Sequence, residues 1–199
     1  MNNTNESNTY NKSPQLNEIK QTLLIFNKQK VKYCILRNYE FLLDKNTPVE
    51  SLDTVVSEKE IMVVDQILTN NGYYSRKPQF SLKHKAYFKF VGTKIISFDI
   101  QIGGVHWNDI RYLNESILDE RVKKSYFYVP NINHTFVMLV AHSILGKRYF
   151  KEKYKGILLN LNVEENKVIA ELSKIFNIKI SNEVYTKVKS GKFNNIHPY

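Results

Sequence analysis

Tyr33-Cys34-Ile35-Leu36-Arg37-Asn38-Tyr39-Glu40, then Leu52-Asp53-Thr54-Val55-Val56, then Ile95-Ile96-Ser97-Phe98-Asp99-Ile100: these three stretches decide how the chain is read. Each is rich in β-branched, aromatic and other apolar residues, the pattern of a buried strand. The second and third each carry one carboxylate among apolar neighbours. Burying a lone Asp is costly unless something pairs with it. Two such strands in one small domain predict that Asp53 and Asp99 share a single positive partner, and a divalent metal is the natural candidate.

Working outward, Leu16, Ile19, Leu23, Leu24 and Phe26 are spaced for a helix with one apolar face, ending near Asn27. The first strand is predicted over Val31 to Leu36, and the loop after it contains Pro48 and a short helical turn at Tyr39 to Leu43. Leu52 to Val56 is the second strand. Ser57-Glu58-Lys59-Glu60 reads as a capping box opening a helix whose apolar face is Ile61, Val64, Ile67 and Leu68. Asn70-Asn71-Gly72 ends that helix, with Gly72 suited to left-handed backbone. Tyr73 and Tyr74 start an extended piece broken by Pro78. Ala86 to Val91 and Lys94 to Ile102 form a hairpin across Gly92-Thr93, and Gly103-Gly104 closes the sheet.

Beyond that point the pattern becomes helical. One more strand is expected within Ser125 to Val129, then helices over Asn133 to Phe150, Tyr154 to Leu161, Glu164 to Phe176 and Ser181 to Lys189. The expected class is α+β, a small mixed sheet with flanking helices followed by a helical C-terminal part. The expected division is a disordered tail over 1–14, a core over 15–110 and a mainly helical region over 111–199.

The 199 residues include 13 Tyr and 11 Phe, enough for a sizeable core. No apolar run reaches the length of a membrane span. The Asn-rich start, Met1 to Ser13, has no apolar segment of the secretory kind. The single Cys34 excludes an internal disulfide and reads as a small buried hydrophobe. A cytoplasmic location is the default. The net charge is +10, unevenly spread. Gln15 to Ile110 carries 13 basic against 10 acidic residues, and Arg111 to Tyr199 carries 15 against 8. The C-terminal half therefore favours an anionic partner such as a nucleotide or RNA, although a solvated Lys-rich surface accounts for the same numbers.

Leu36-Arg37-Asn38-Tyr39, Ser51-Leu52-Asp53 and Phe98-Asp99-Ile100, in the order helix, strand, loop, strand, helix, hairpin, resemble the nucleotidyltransferase superfamily, the polymerase-beta-like fold. The likeness is to the bacterial and archaeal branch whose first strand reads Leu-Arg-Gly-Tyr and whose second carries Asp-apolar-Asp. His142, Lys147, Arg148 and Tyr154 match a helical segment that follows that core. The resemblance covers roughly Leu16 to Leu161. It implies a Mg²⁺-dependent transfer of a nucleoside monophosphate from an NTP to a hydroxyl acceptor, with up to two Mg²⁺ ions held by carboxylates. Asp53 and Asp99 would be catalytic and hold metal, with Glu50 assisting. Arg37, Asn38, Ser51, His142, Lys147 and Arg148 would bind nucleotide or phosphate.

Two positions depart from the family pattern. Ser51 stands where the first carboxylate of the pair is expected, and Glu50 beside it falls on the opposite face of a regular strand. Asn38 stands where a small residue is expected, and Asn tolerates left-handed backbone better than most. A non-catalytic nucleotide- or nucleic-acid-binding module, or a partner subunit, is the alternative on the same fold. Other readings weigh on single residues. Arg37 could be no more than the counter-ion of Asp53 or Asp99, and His142 a core histidine. Lys147 to Lys155 is a basic run with interleaved aromatics, suited to a phosphate backbone or to a solvated helix face. His84, His106 and His134 lack zinc-ligand spacing. No phosphate-binding Gly-Lys loop, dinucleotide fingerprint or nucleophile elbow is present.

Overall fold

The computed structural model describes residues 13–44, 46–76, 82–107 and 110–196. Pro78 and most of the expected tail lie outside them. Helix α1 (Pro14–Lys28) opens with Pro at its first turn, where the missing N–H costs nothing. Strand β1 (Tyr33–Arg37) follows, then β2 (Leu52–Val56), α2 (Ile61–Asn70), β3 (Tyr74–Arg76), β4 (His84–Val91) and β5 (Lys94–Ile102). These five strands form one sheet in the order β1-β2-β5-β4-β3. Strands β2 and β5 run parallel, and the other neighbours are antiparallel. The parallel pair needs a long connection, supplied by α2 and the β3–β4 excursion.

Two short ribbons follow, β6 (Gly104–Trp107) with β7 (Ile110–Asn114), and β8 (Val122–Lys124) with β9 (Phe127–Val129). The strand expected within Ser125 to Val129 is thus half of a hairpin. Gly104 does not end the extended structure. It opens β6, where a Cβ would meet the Leu113 carbonyl oxygen at 2.5 Å, so only Gly allows the two strands to approach. The C-terminal region is α3 (Ile132–Ala141), a π-helical turn over His142–Lys147, α4 (Glu152–Asn160), α5 (Glu165–Leu172) and α6 (Ile178–Lys189). The helix expected to run to Phe150 instead widens into π geometry at His142 and stops at Arg148, which has φ 60°.

The sheet separates two apolar layers. On one face Ile19, Leu23 and Phe26 of α1 and Val64, Ile67 and Leu68 of α2 pack against Tyr33, Ile35, Leu52, Val56, Tyr87, Phe98 and Ile100. On the other, Cys34, Leu36 and Val55 pack against Val105, Tyr112 and the C-terminal helices through Phe136, Val140 and Leu158. Strict alternation in β2 and β5 assigns each side chain to its layer.

The expected capping box does not form. Residues Glu58–Glu60 make a 3₁₀ turn ahead of α2, and Ser57 makes no cap with its side chain. The Ser57 hydroxyl donates to Glu115, and the Glu60 carboxylate accepts from the backbone N–H of Lys32. Both side chains tie α2's entry to neighbouring chain instead of to the helix itself.

Candidate functional site

One row of side chains crosses the entire sheet. Arg37 on β1 is paired with Asp53 on β2, Asp53 with Asp99 on β5, Asp99 with Ala86 on β4, and Ala86 with Arg76 on β3. Directly paired residues project from the same face, so all five share one side of the sheet. Strands lie about 4.8 Å apart, which brings the two carboxylates next to one another.

Arg37 reaches that face through a β-bulge. Ile35 pairs with Thr54 and Arg37 with Asp53, so Leu36 is an extra residue on β1. Regular alternation would send Arg37 to the α1 side with Ile35; the extra residue turns it towards Asp53. Arg37 Nε donates to Asp53 Oδ2 at 2.6 Å, and Asn38 Nδ2 donates to the same oxygen at 3.4 Å. Asn38 has φ 59°, left-handed backbone that brings its amide back over β2. Burial alone would lower the basicity of the Arg37 guanidinium, but the Asp53 charge and hydrogen bond outweigh it and hold the group firmly protonated.

Asp99 has a different companion. His84 Nε2 lies 3.4 Å from Asp99 Oδ1. Each carboxylate thus has its own neighbouring side chain, Arg37 for Asp53 and His84 for Asp99. The carboxylates also differ in cover: the side chain of Asp53 is 14% exposed and that of Asp99 36%.

The other expected site residues divide into those near the row and those away from it. His142 is buried, and its imidazole is pushed down to about 3, first by burial and then by Arg37, Lys147 and Lys151. It is therefore neutral at pH 7, with its ring 6.1 Å from that of Tyr154. Tyr112 and Tyr154 also lie within electrostatic reach of Arg37. Lys147 is exposed at the end of the π turn. Arg148 lines a separate hollow of about 350 Å³ with Ser143, Ile144, Tyr149 and Phe150, which holds no member of the carboxylate row. Ser51 and Glu50 precede β2; Ser51 is half-buried and Glu50 exposed.

Arg76 and His84 were not singled out from sequence. His84 lies two residues before Ala86 and therefore on its face. Extending the β4 alternation back by one period is the signal that finds it. Arg76 enters the row through β3–β4 pairing, which no local pattern specifies.

Among the described residues, no three His, Cys, Asp or Glu side chains come together as a metal cage. Mg²⁺ does not require one. It keeps several waters and is bound through one or two carboxylates plus substrate phosphates. Two adjacent Asp side chains with Ser51 in the third position suit one such ion and fall short of a protein-built two-ion centre.

No protein-family model matches the chain, and no curated protein matches it. Solved structures do. The solution structure of the antibiotic-resistance factor ANT(2'')-Ia aligns over 90% of this chain and 93% of its own, at 6% identity and a TM-score of 0.48. A crystal structure of ANT(2'')-Ia with adenylyl-2''-tobramycin covers 88% of this chain and 97% of its own, at 8% identity and a TM-score of 0.44. A crystal structure described as that of a nucleotidyltransferase from H. pylori covers 94% and 99%, at 11% identity and a TM-score of 0.40. Scores of this size do not carry the activity of those proteins over to this chain.

Proposed function

We propose that the protein is a Mg²⁺-dependent nucleotidyltransferase of the cytoplasm, transferring a nucleoside monophosphate from an NTP to a hydroxyl acceptor. The observation that carries this reading is the register of β2 and β5, which sets Asp53 beside Asp99 with Arg37 at the end of the pair. In this reading 15–110 is the catalytic core, and 111–199 is the helical region that covers one side of the site.

Asp53 and Asp99 would hold Mg²⁺, which when bound offsets negative charge on the phosphates and on the leaving group. The rest falls to the chain itself. Asp99, the more open carboxylate, accepts the proton of the acceptor hydroxyl and passes it to water. The hydroxyl oxygen forms a bond to the α-phosphorus as the bond from that phosphorus to the β-phosphate oxygen breaks, and pyrophosphate leaves. Arg37 and Asn38 hold Asp53 in place and present donors towards phosphate oxygens. His142, neutral and buried, supports Arg37 from the helical side, and Lys147 adds charge at the rim.

The test is binding of labelled NTP in the presence of Mg²⁺. Asp53→Asn, which keeps the shape, and Asp53→Ala should both lose it; unaltered binding in both removes the proposed site. A second reading has its own support. Asp53 is already engaged by a cation and an amide, which suits a module that binds nucleotide or nucleic acid without transfer. That reading expects retention of a polyanion without Mg²⁺ and a steep loss of affinity with salt.

A further inference from the structure

The face that carries the carboxylate row continues past Asp99 onto β4 and β3, and there, among the described residues, several of its large side chains are exposed. Tyr74 pairs with Phe88, Phe88 with Ser97, and Phe90 with Ile95, so these side chains extend the same face away from the row. Tyr74 is 73% exposed, Phe90 66% and Ile95 58%, while Phe88 is half-buried between them. Arg76, exposed, stands two residues along β3 from Tyr74 and on the same side. Ala86, buried between Asp99 and Arg76, is the smallest side chain of the row.

We propose that this bare face is the acceptor-binding surface, and that its ligand is the end of a single-stranded nucleic acid. Bases would stack on Tyr74, Phe88 and Phe90, a backbone phosphate would meet Arg76, and the terminal hydroxyl would lie over Asp99. The chemistry favours this occupant over a purely apolar one. A platform of separated aromatic rings beside a guanidinium is what base stacking and phosphate contact need, and it requires no particular base. The chain's net charge of +10 attracts a polyanion, and Arg76 presents a basic group on this face to receive it. The inference rests on the transfer reading only for what happens at Asp99; binding itself does not depend on it.

The experiment is fluorescence anisotropy of an end-labelled single-stranded RNA dodecamer with the full chain, without NTP or Mg²⁺, over a salt series. Binding should weaken steeply with salt and be stronger than for the same sequence as a duplex. Phe90→Ala and Tyr74→Ala, both at exposed positions where folding is not at stake, should each weaken it on the order of 10-fold. Arg76→Ala should lower the salt slope by about one. Binding of labelled NTP with Mg²⁺ is measured in parallel on the parent chain, so failure of the nucleotide site and failure of this surface are read separately. No binding at low salt overturns the proposal. So does binding indifferent to Tyr74, Phe90 and Arg76, which would place the RNA elsewhere. A concentration-dependent dimer abolished by Phe90→Ala would overturn it too, by assigning the face to a second copy of the chain.

Discussion

One face of one sheet is finished in two ways. Over β1 and β2 it is sealed: Cys34, Leu36 and Val55 lie under the C-terminal helices. Over β4 and β3 the same face ends in exposed aromatics. Asp53 and Asp99 sit where cover gives way to solvent, the first mostly enclosed and the second open. The difference teaches why the row has a polarity. A carboxylate under cover needs a fixed cation and has Arg37; one at the margin tolerates a looser partner and has His84. An enclosed group is held in place and an open one can be reached, and a site for two reactants needs both.

The contrast can be broken by matched substitutions. Leu36→Ala in the sealed half should cost about 2–4 kcal/mol, because the C-terminal helices cannot collapse fully into the hole. Phe90→Ala in the bare half should stay within about 0.5 kcal/mol. Urea unfolding midpoints with unchanged m-values measure both; similar losses at the two positions would mean that the bare half is not bare. Next in size is the comparison of the two arginines. Arg37→Ala leaves Asp53 enclosed with only Asn38, and should cost about 2 kcal/mol after allowing for partial exposure. Arg76→Ala should cost almost nothing. The double variant Arg37→Ala/Asp53→Ala should recover part of the loss, as removal of both partners does.

The smallest effect concerns pH. The folded state holds His142 near 3, below its unfolded value of 6.5. The unfolded chain therefore binds one more proton between those limits. The stability this histidine contributes is complete above about pH 6.5 and is lost as pH falls towards 3. Between pH 6 and pH 5 the loss should be about 1 kcal/mol. His142→Gln should flatten that part of a stability-against-pH curve relative to the parent chain. His106 and His134, also lowered by burial, would remain as background in both.

Much of the architecture was legible because alternation and helical spacing are local. The β4–β5 hairpin at Gly92-Thr93, the β2 strand and the turn at Gly72 fall where the pattern places them. Asp53 and Asp99 were legible as strand carboxylates that should meet, and the sheet sets them side by side. Their residue-for-residue register was not, because parallel pairing is set by packing across an intervening helix and no residue near either Asp encodes it. His84 was missed because the strand was begun at Ala86. Arg76 was missed because its place depends on a pairing across residues far from the other members of the row. The capping box failed for a related reason. Ser57 and Glu60 have the right local spacing, yet Glu115 and the Lys32 N–H, distant in sequence, compete for the same groups and win.

The bulge at Leu36 makes the chain unequally tolerant of length changes. The loop between Asn38 and Glu50 could gain or lose a residue with little consequence for the sheet. Within 33–37 a single further insertion would swing the guanidinium through the sheet into the oily layer beneath α1, leaving Asp53 without its cation. A single deletion would not: without the extra residue the strand is regular and the arginine still stands opposite Asp53. Five residues of β1 thus tolerate one miscount and not the other, and relatives of this chain that keep the pair of arginine and aspartate can dispense with that odd residue but not double it.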